Sequence, residues 1–202
     1  MAQPALVLVL AYLLGSIPTG LWISRALGTA DLRTRGSGSA GATNVLRFHG
    51  WAAALPVALL DGAKGWIAAA LLPGLGESAT GFADWLPAAA GFAAALGHVW
   101  PALARFRGGK GVATAAGAAL AIRPLAAAAA VGLFVVAVLA TRRVSAGSLA
   151  AAAVLPALFY LLEPSRGSAP VAFGIALLAL ILWTHRRNVA NLLAGTEPRI
   201  GR

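Results

Sequence analysis

Long apolar runs separated by short polar segments make up most of the chain. Because a membrane-spanning helix needs roughly 20 apolar residues, this pattern predicts seven spans. They lie at 4–24, 51–72, 85–104, 112–122, 124–140, 146–162 and 169–184. The fourth is short, and its separation from the fifth depends on Arg123-Pro124, since proline disfavours helix at the residue before it and lacks a backbone donor. A single long helix over 112–140 is the alternative.

The composition agrees with this pattern. Of the 202 residues, 59% are hydrophobic and only 11% are charged, which leaves too few polar side chains to cover a soluble domain. We therefore expect an all-α polytopic integral membrane protein, with residues 1–202 forming one membrane domain. The first apolar run lacks a basic segment before it, so we expect it to remain as a span. The absence of cysteine excludes a disulfide, a thiolate-bound metal and a cysteine nucleophile.

The net charge of +10 is explained by where the basic residues lie. Cytoplasmic loops carry excess Lys and Arg, and seven spans with the amino terminus outside place thirteen basic residues in cytoplasmic segments. They are Arg25, Arg33, Arg35, Arg47, Arg105, Arg107, Lys110, Arg142, Arg143, Arg186, Arg187, Arg199 and Arg202. Six spans would move the last six of these to the other side, so the charge favours seven spans and a cytoplasmic carboxyl terminus. No aromatic-interleaved basic domain is present, which argues against nucleic acid as a partner.

Two clusters rich in glycine, hydroxyl groups and basic residues stand out, and the predicted topology places both at the cytoplasmic surface. The first is GSGSAGATNVLR at 36–47. Its amides and polar side chains are suited to surround phosphate oxygens, while Arg47 contacts a second anion. A flexible loop carrying one arginine is the alternative. The predicted ligands here are Gly36, Ser37, Gly38, Ser39, Gly41, Thr43, Asn44 and Arg47.

The second cluster is FRGGKGVAT at 106–114, just before the fourth span. A helix amino terminus there would direct free amides and the positive end of its dipole at an anion. It is not a Walker A motif, because Gly111 follows Lys110 and Ala104 holds the position of the first glycine. A basic turn between spans is the alternative. The predicted ligands are Gly108, Gly109, Lys110, Gly111 and Thr114.

Two groups of polar residues lie within or at the ends of the second and third spans. Asp61 and Lys64 are three residues apart in the second span and can pair on one helix face, as a structural ion pair or in a direct catalytic role. His98, near the cytoplasmic end of the third span, can meet the second cluster. A histidine satisfied inside the bundle is the simpler interpretation.

Further polar residues flank the last two spans on the same predicted face. His185 and Asn188 share a helical turn after the seventh span, where they can line an anionic pocket or anchor the helix at the interface. Ser145 and Ser148 open the sixth span, where serine is commonly only a cap.

Taken in order, these segments resemble the acyl-phosphate-dependent glycerol-3-phosphate acyltransferase family, PlsY. The matching segments are GSIPTG at 15–20, GSGSAGATNVLR at 36–47, DGAKG at 61–65, GHVWP with FRGGKGVAT at 97–114, and HRRNVANLLAGTE at 185–197. The resemblance implies transfer of a fatty acyl group from acyl phosphate to the 1-hydroxyl of glycerol 3-phosphate. The products are lysophosphatidic acid and phosphate, in the first acylation of bacterial phospholipid biosynthesis. It also implies a site facing the cytoplasm in the inner membrane, among membrane lipid, with no cofactor, metal or obligatory protein partner.

The resemblance further implies separate tasks for the two clusters. The loop 36–44 would hold the phosphoryl group of acyl phosphate, and six catalytic residues would surround glycerol 3-phosphate. These are Ser37, Arg47, Lys110, Ser148, His185 and Asn188. Two positions depart from the family pattern, since Ser39 replaces a usual asparagine and Arg143 an expected aromatic residue, but neither has an assigned ligand role toward glycerol 3-phosphate.

The residues also bear on two other activities. The His-x4-Asp motif of other glycerolipid acyltransferases is absent, because the fifth residue after His49, His98 and His185 is Ala54, Leu103 and Ala190. A membrane carrier or binding protein for phosphorylated metabolites is the alternative function. The odd number of predicted spans and the lack of a visible internal repeat argue against a transporter built by duplication.

Overall fold

A computed structural model describes residues 2–28, 31–76, 83–162 and 168–201. Within these ranges the chain is helical, with no strand, and it divides into two compact units, Met1–Ala121 and Ile122–Arg202. The α-helices are α1 (Ala2–Gly15), α2 (Thr19–Ala26), α3 (Ala42–His49), α4 (Trp51–Ala70), α5 (Leu86–Val99), α6 (Val112–Ile122), α7 (Pro124–Thr141), α8 (Val144–Leu162), α9 (Ala169–Thr184) and α10 (Arg186–Leu193). Short 3-10 turns cover Leu32–Thr34, Leu72–Leu75, Ala83–Trp85 and Ala102–Ala104. Arg202, one of the thirteen basic residues of the charge argument, lies outside the described residues.

The helices agree closely with the predicted spans. Among the described residues, five helical stretches are long and apolar enough to cross a membrane, and α9 with α10, bent by 66°, makes a sixth if the pair counts as one span. The predicted fourth segment forms α6, whose 11 residues extend about 17 Å, less than the thickness of a bilayer. The break at Arg123 is confirmed, because α6 ends at Ile122 and α7 begins at Pro124. A single long helix over 112–140 is therefore wrong.

The first predicted span is not one continuous helix. α1 ends at Gly15 and α2 begins at Thr19, with Pro18 between them. Proline lacks an amide hydrogen and disfavours helix at the preceding Ile17. The carbonyl oxygen of Ile17 instead accepts a hydrogen bond from Nζ of Lys64 in α4, at 3.0 Å. A side chain from another helix thus satisfies the backbone at the break, as the apolar interior requires.

Apolar clusters of described residues pack the helices of the first unit against one another. One joins α1, α4 and α5 through Val7, Ala11, Ala68, Leu86, Ala90 and Ala94. The other joins α2, α3, α4 and the turns at 32–34 and 102–104 through Leu21, Leu32, Ala40, Val45, Ala53, Ala54, Val57 and Ala104. The second cluster lies directly beside the loop 36–41, so it supports the first glycine-rich segment.

Glycines allow close contact between neighbouring helices of this unit. A Cβ on Gly97 of α5 would overlap the carbonyl oxygen of Tyr12 in α1, and one on Gly65 of α4 would overlap that of Thr114 in α6. Such small-residue contacts are the usual means by which membrane helices approach one another. The Tyr12 hydroxyl also donates to the carbonyl oxygen of Trp100 at 2.6 Å, which holds the end of α5 against α1.

The second unit packs α7, α8 and α9 in chain order. Arg142, in the left-handed conformation with φ 58°, makes the turn from α7 into α8. Phe159 of α8 stacks on Phe173 of α9, with ring centroids 6.3 Å apart. The amide of Ile200 donates to the carbonyl oxygen of Arg142 at 2.7 Å, so the carboxyl-terminal segment returns to the start of α8.

The substitution Gly97→Ala tests the close helix contact. The added methyl group meets the carbonyl oxygen of Tyr12, so we expect the free energy of unfolding in detergent to fall by about 1–3 kcal/mol. Gly132→Ala in α7 is the matched control, because no atom lies within 4 Å of a Cβ there. Thermal unfolding should show little change or a slight gain for the control, since alanine is the better helix former. Equal losses in both variants would contradict the packing argument.

Candidate functional site

The first glycine-rich loop is organised around the side chain of Asn44, which is buried in the first turn of α3. Its Nδ2 group lies within hydrogen-bond distance of the carbonyl oxygens of Leu32, Arg35 and Ser39, at 3.1, 3.1 and 2.9 Å. Its Oδ1 accepts from the amide of Ser37 at 3.2 Å. The predicted ligand Asn44 therefore shapes the loop, with both ends of its amide group engaged by the backbone.

Most amides of this loop have acceptors inside the protein. The amide of Gly38 donates to the carbonyl oxygen of Arg35, and that of Gly41 to the hydroxyl of Ser39. Gly36 and Gly38 have positive φ angles of 57° and 68°, which the tight turn requires. The expected cradle of loop amides is thus largely engaged. The amide of Asn44 donates to the carbonyl oxygen of Gly41 at 3.0 Å, so what remains toward an anion at the start of α3 is the amides of Ala42 and Thr43, which have no acceptor within the helix.

The two glycine-rich segments lie against each other. The amide of Ala40 donates to the carbonyl oxygen of Gly108 at 3.2 Å. A Cβ on Gly41 would lie 3.9 Å from the Cα of Gly109. Segments about 70 residues apart in sequence therefore share one surface of the first unit, as expected of two parts of one phosphate site.

The second segment folds back over the end of α5. The amides of Gly108 and Gly109 donate to the carbonyl oxygens of Val99 and His98, at 3.2 and 3.1 Å. These two predicted ligands therefore anchor the segment with their amides. Arg105 and Phe106, with φ angles of 56° and 57°, make the preceding turn. Such consecutive left-handed residues are uncommon outside glycine and concentrate at functional sites.

The cationic and hydroxyl ligands predicted in this unit differ in exposure. Ser37 and Arg47 are exposed, Lys110 and Thr43 are partly exposed, and Thr114 is fully buried. The Thr114 hydroxyl therefore lies inside the bundle. Where the segments meet, the chain thus offers the Ser37 hydroxyl and the cation of Lys110, which lies just before α6, whereas the exposed Arg47 lies in the last turn of α3.

Asp61 and Lys64 form the ion pair that their spacing predicts. Lys64 Nζ lies 2.7 Å from Asp61 Oδ1, and the side chains are 5% and 1% exposed. The same oxygen accepts from the Thr19 hydroxyl at 2.5 Å and lies 3.5 Å from Nδ1 of His98. The pair is therefore part of a buried polar cluster that joins α2, α4 and α5.

Sequence reasoning missed a link between the two segments. Arg33 donates to the carbonyl oxygen of Ala104 at 2.8 Å and pairs with Asp31 at 2.8 Å. The hydrogen bond from Arg33 lowers the pKa of Asp31 to about 2, so the pair stays charged at neutral pH. The only sequence signal is an acidic residue two positions before an arginine, because the Ala104 carbonyl lies 71 residues away.

Two of the polar residues predicted in the second unit, Ser145 and Asn188, bond to Glu197, a residue without a predicted role. Its Oε1 accepts from Ser145 at 2.6 Å and from Asn188 at 2.7 Å. Ser148 is buried, and its hydroxyl donates to the carbonyl oxygen of Val144 at 3.0 Å. Nδ1 of His185, also buried, lies 3.0 Å from the carbonyl oxygen of Ile181, which orients the ring. Asn188, Ser145 and the carboxyl-terminal segment are therefore held together by one carboxylate.

Comparison with known proteins adds to this geometry. A family profile described as glycerol-3-phosphate acyltransferase matches residues 5–195. A protein of that name from Synechococcus sp. (strain CC9902) is 45% identical over 196 residues, which cover 97% of this chain and 94% of the relative. The chain belongs to the glycerol-3-phosphate acyltransferase family. A relative from Laribacter hongkongensis (strain HLHK9) is 42% identical over 194 residues, covering 96% of this chain and 94% of its own.

Solved structures of this acyltransferase family agree with the fold. The crystal structure of PlsY, an integral membrane glycerol 3-phosphate acyltransferase, in its glycerol 3-phosphate form aligns with a TM-score of 0.88 at 35% identity, over 98% of this chain and 96% of that one. Its lysophosphatidic acid form aligns with a TM-score of 0.86 at 34% identity, over 98% and 95%. The resemblance inferred from the motifs is confirmed. The chain is a multi-pass membrane acyltransferase of phospholipid biosynthesis.

The substitution Asn44→Asp tests the role of Asn44 in the first glycine-rich loop. Asn44→Asp removes the donor group and sets a negative charge against three carbonyl oxygens, so we expect lower thermal stability and a loss of activity of at least tenfold. The matched control is Asn191→Asp, whose side chain is exposed on α10. Unfolding temperature and activity of both purified variants provide the check. An Asn44→Asp variant that behaves like the control would show that the loop does not depend on this amide.

Proposed function

We propose that this chain transfers a fatty acyl group from acyl phosphate to the 1-hydroxyl of glycerol 3-phosphate, giving lysophosphatidic acid and phosphate. The observation that carries this proposal is the hydrogen bond from Ala40 to Gly108, which joins two segments suited to phosphate groups. A reaction between two phosphate-bearing substrates requires two such places side by side. The glycerol 3-phosphate and lysophosphatidic acid forms of the similar PlsY support the choice of acceptor and product.

The proposed reaction is a direct attack without an acyl-enzyme. The acceptor hydroxyl oxygen forms a bond to the acyl carbonyl carbon, the bond from that carbon to the phosphate oxygen breaks, and the hydroxyl proton goes to a phosphate oxygen. Phosphate is a good leaving group, so the protein mainly holds two anions together against their repulsion and stabilises developing charge. The cations of Arg47 and Lys110 and the amino termini of α3 and α6 suit this task.

We assign the substrates to residues as the family resemblance implies. The loop 36–44 holds the phosphoryl group of acyl phosphate, while Ser37, Arg47 and Lys110 bind glycerol 3-phosphate. Ser148, His185 and Asn188 of the second unit stay predicted ligands of the same acceptor. The 202 residues then act as a single catalytic domain without an added cofactor, metal or protein partner.

A purified-enzyme assay tests the reaction and its residues. With acyl phosphate and glycerol 3-phosphate the wild-type chain should release lysophosphatidic acid and phosphate in equal amounts, and acyl-CoA or acyl-carrier protein should not replace the donor. Lys110→Ala and Arg47→Ala each remove a cation that offsets substrate repulsion, so we expect activity to fall by on the order of 100-fold. Arg199→Ala, an exposed arginine outside the site, is the control.

Each outcome of this assay has a definite meaning. Near-wild-type activity in Lys110→Ala or Arg47→Ala would contradict the residue assignments. Binding of both substrates without any product would favour the carrier alternative over the enzyme. Product formed only from acyl-CoA or acyl-carrier protein would change the donor and leave the acceptor in place.

For the membrane topology we propose seven spans, with the amino terminus outside and the carboxyl terminus in the cytoplasm. The spans are the five long helical stretches together with α6 and α9. The close approach of Gly65 in α4 to the backbone of α6, and of Gly117 in α6 to the backbone of α4, supports a short span sheltered by its neighbours. The excess of basic residues then faces the cytoplasm, which places the active site at the cytoplasmic surface of the inner membrane.

The absence of cysteine makes this topology easy to test. We expect Thr34→Cys and Arg199→Cys to resist a membrane-impermeant maleimide in intact spheroplasts and to react after lysis. Asp84→Cys should react in both, because its loop lies outside; all three side chains are exposed in the structure. Reaction of Arg199→Cys in intact spheroplasts would instead indicate an even number of spans.

A further inference from the structure

The ring of His98 lies between the buried polar cluster and the second glycine-rich segment. His98 is the penultimate residue of α5 and is 7% exposed. A Cβ on Gly109 would overlap the Nε2 end of this ring. Only glycine therefore fits at position 109 while His98 keeps its place, and Gly109 directly precedes Lys110.

The opposite edge of the ring faces a carboxylate that is itself held from two other helices. Nδ1 of His98 lies 3.5 Å from Oδ1 of Asp61. That oxygen accepts from the Thr19 hydroxyl at 2.5 Å and pairs with Lys64 Nζ at 2.7 Å. Contacts thus run from α2 and α4 through Asp61 to the His98 ring, and from the ring to Gly109.

The backbone of the same histidine holds the segment as well. The carbonyl oxygen of His98 accepts from the amide of Gly109 at 3.1 Å. Ring and carbonyl of one residue therefore contact the residue before Lys110 from the α5 side. A lysine ammonium on a flexible stem places its charge only as accurately as its backbone is held.

We propose that His98 is a positioning residue for acyl transfer: its ring, which lies between Asp61 and Gly109, sets the place of Gly109 and so of the Lys110 ammonium at the phosphate of the acceptor. The proposal rests on the proposed function, in which Lys110 binds glycerol 3-phosphate. His98 touches neither substrate. Since displacement of a binding group by about 1 Å can reduce a rate 100-fold, loss of the ring acts mainly on the acceptor.

Steady-state kinetics of His98→Ala separates this role from general packing. We expect KM for glycerol 3-phosphate to rise on the order of tenfold, while KM for acyl phosphate stays within about twofold. Leu96→Ala, which removes a larger side chain from the same helix, is the control. It should lower the unfolding temperature without raising KM for glycerol 3-phosphate relative to KM for acyl phosphate.

A second set of variants tests the contact itself. Gly109→Ala pushes a methyl group against the ring and should also raise KM for glycerol 3-phosphate. In the double variant His98→Ala/Gly109→Ala the methyl group has room, so its KM should be no worse than that of His98→Ala alone, a strong departure from additivity. His98→Gln, which places an amide near the position of Nε2, should recover KM better than His98→Asn.

The results separate failure of this proposal from failure of the proposed function. If the wild-type chain does not acylate glycerol 3-phosphate, the proposed function is wrong. If it does, but His98→Ala changes both KM values equally or neither, or the double variant is additive, His98 is only a packing residue. If His98→Ala does not fold, Gly109→Ala decides the question. A rise in its KM for glycerol 3-phosphate alone would support the positioning role, and an unchanged KM would overturn it.

Discussion

The carboxylate of Asp61 is the group on which the arrangement of the first unit depends. A charge inside the hydrocarbon layer is costly unless paired and hydrogen-bonded, and one oxygen of Asp61 is reached by Thr19, Lys64 and His98. These contacts hold α2, α4 and α5 in one arrangement. Lys64 in turn satisfies the carbonyl oxygen at the break between α1 and α2. The polar cluster therefore makes a broken first span compatible with the membrane.

The functional surface is built on this support. The end of α5 holds the second glycine-rich segment through the carbonyl oxygens of His98 and Val99, and that segment holds the first through Gly108. Asn44 closes the first loop from inside. The loops have few remaining amides, so the proposed substrate binding would rely on cationic side chains and helix amino termini. This preorganisation suits a reaction in which placement of two anions is the main task.

The sequence predicted those features that depend on residues close together in the chain. Hydropathy located the apolar helices, and Pro124 located the break before α7, because both signals act within a few residues. Pro18 carries the same signal, but it lies inside an apolar run, and the Lys64 side chain that satisfies the break comes from another helix. The spacing of Asp61 and Lys64 predicted their ion pair for the same local reason.

The candidate site residues stay predictions, but the structure shows which hydrogen bonds some of them make within the protein. Asn44, Gly108 and Gly109 were expected to contact substrate, yet the structure engages the Asn44 amide and both glycine amides with carbonyl groups of the protein. Composition indicates that a segment has donors; only the three-dimensional path of the backbone decides which acceptors they meet. Arg33 and Ala104 are 71 residues apart, and Glu197 meets Ser145 only because the carboxyl-terminal segment folds back to the start of α8. Neither contact can be recognised from neighbouring residues in the sequence.

The spacing of Asp61 and Lys64 also bears on how the chain enters the membrane during synthesis. Because the two side chains pair within one helix, α4 can leave the translocon with its opposite charges already neutralised by each other. Thr19 and Ile17, which complete their hydrogen bonds, belong to the preceding span. His98 arrives later, with α5. α5 thus packs against an ion pair that is already formed, and α4 carries no unpaired charge into the lipid before α5 arrives.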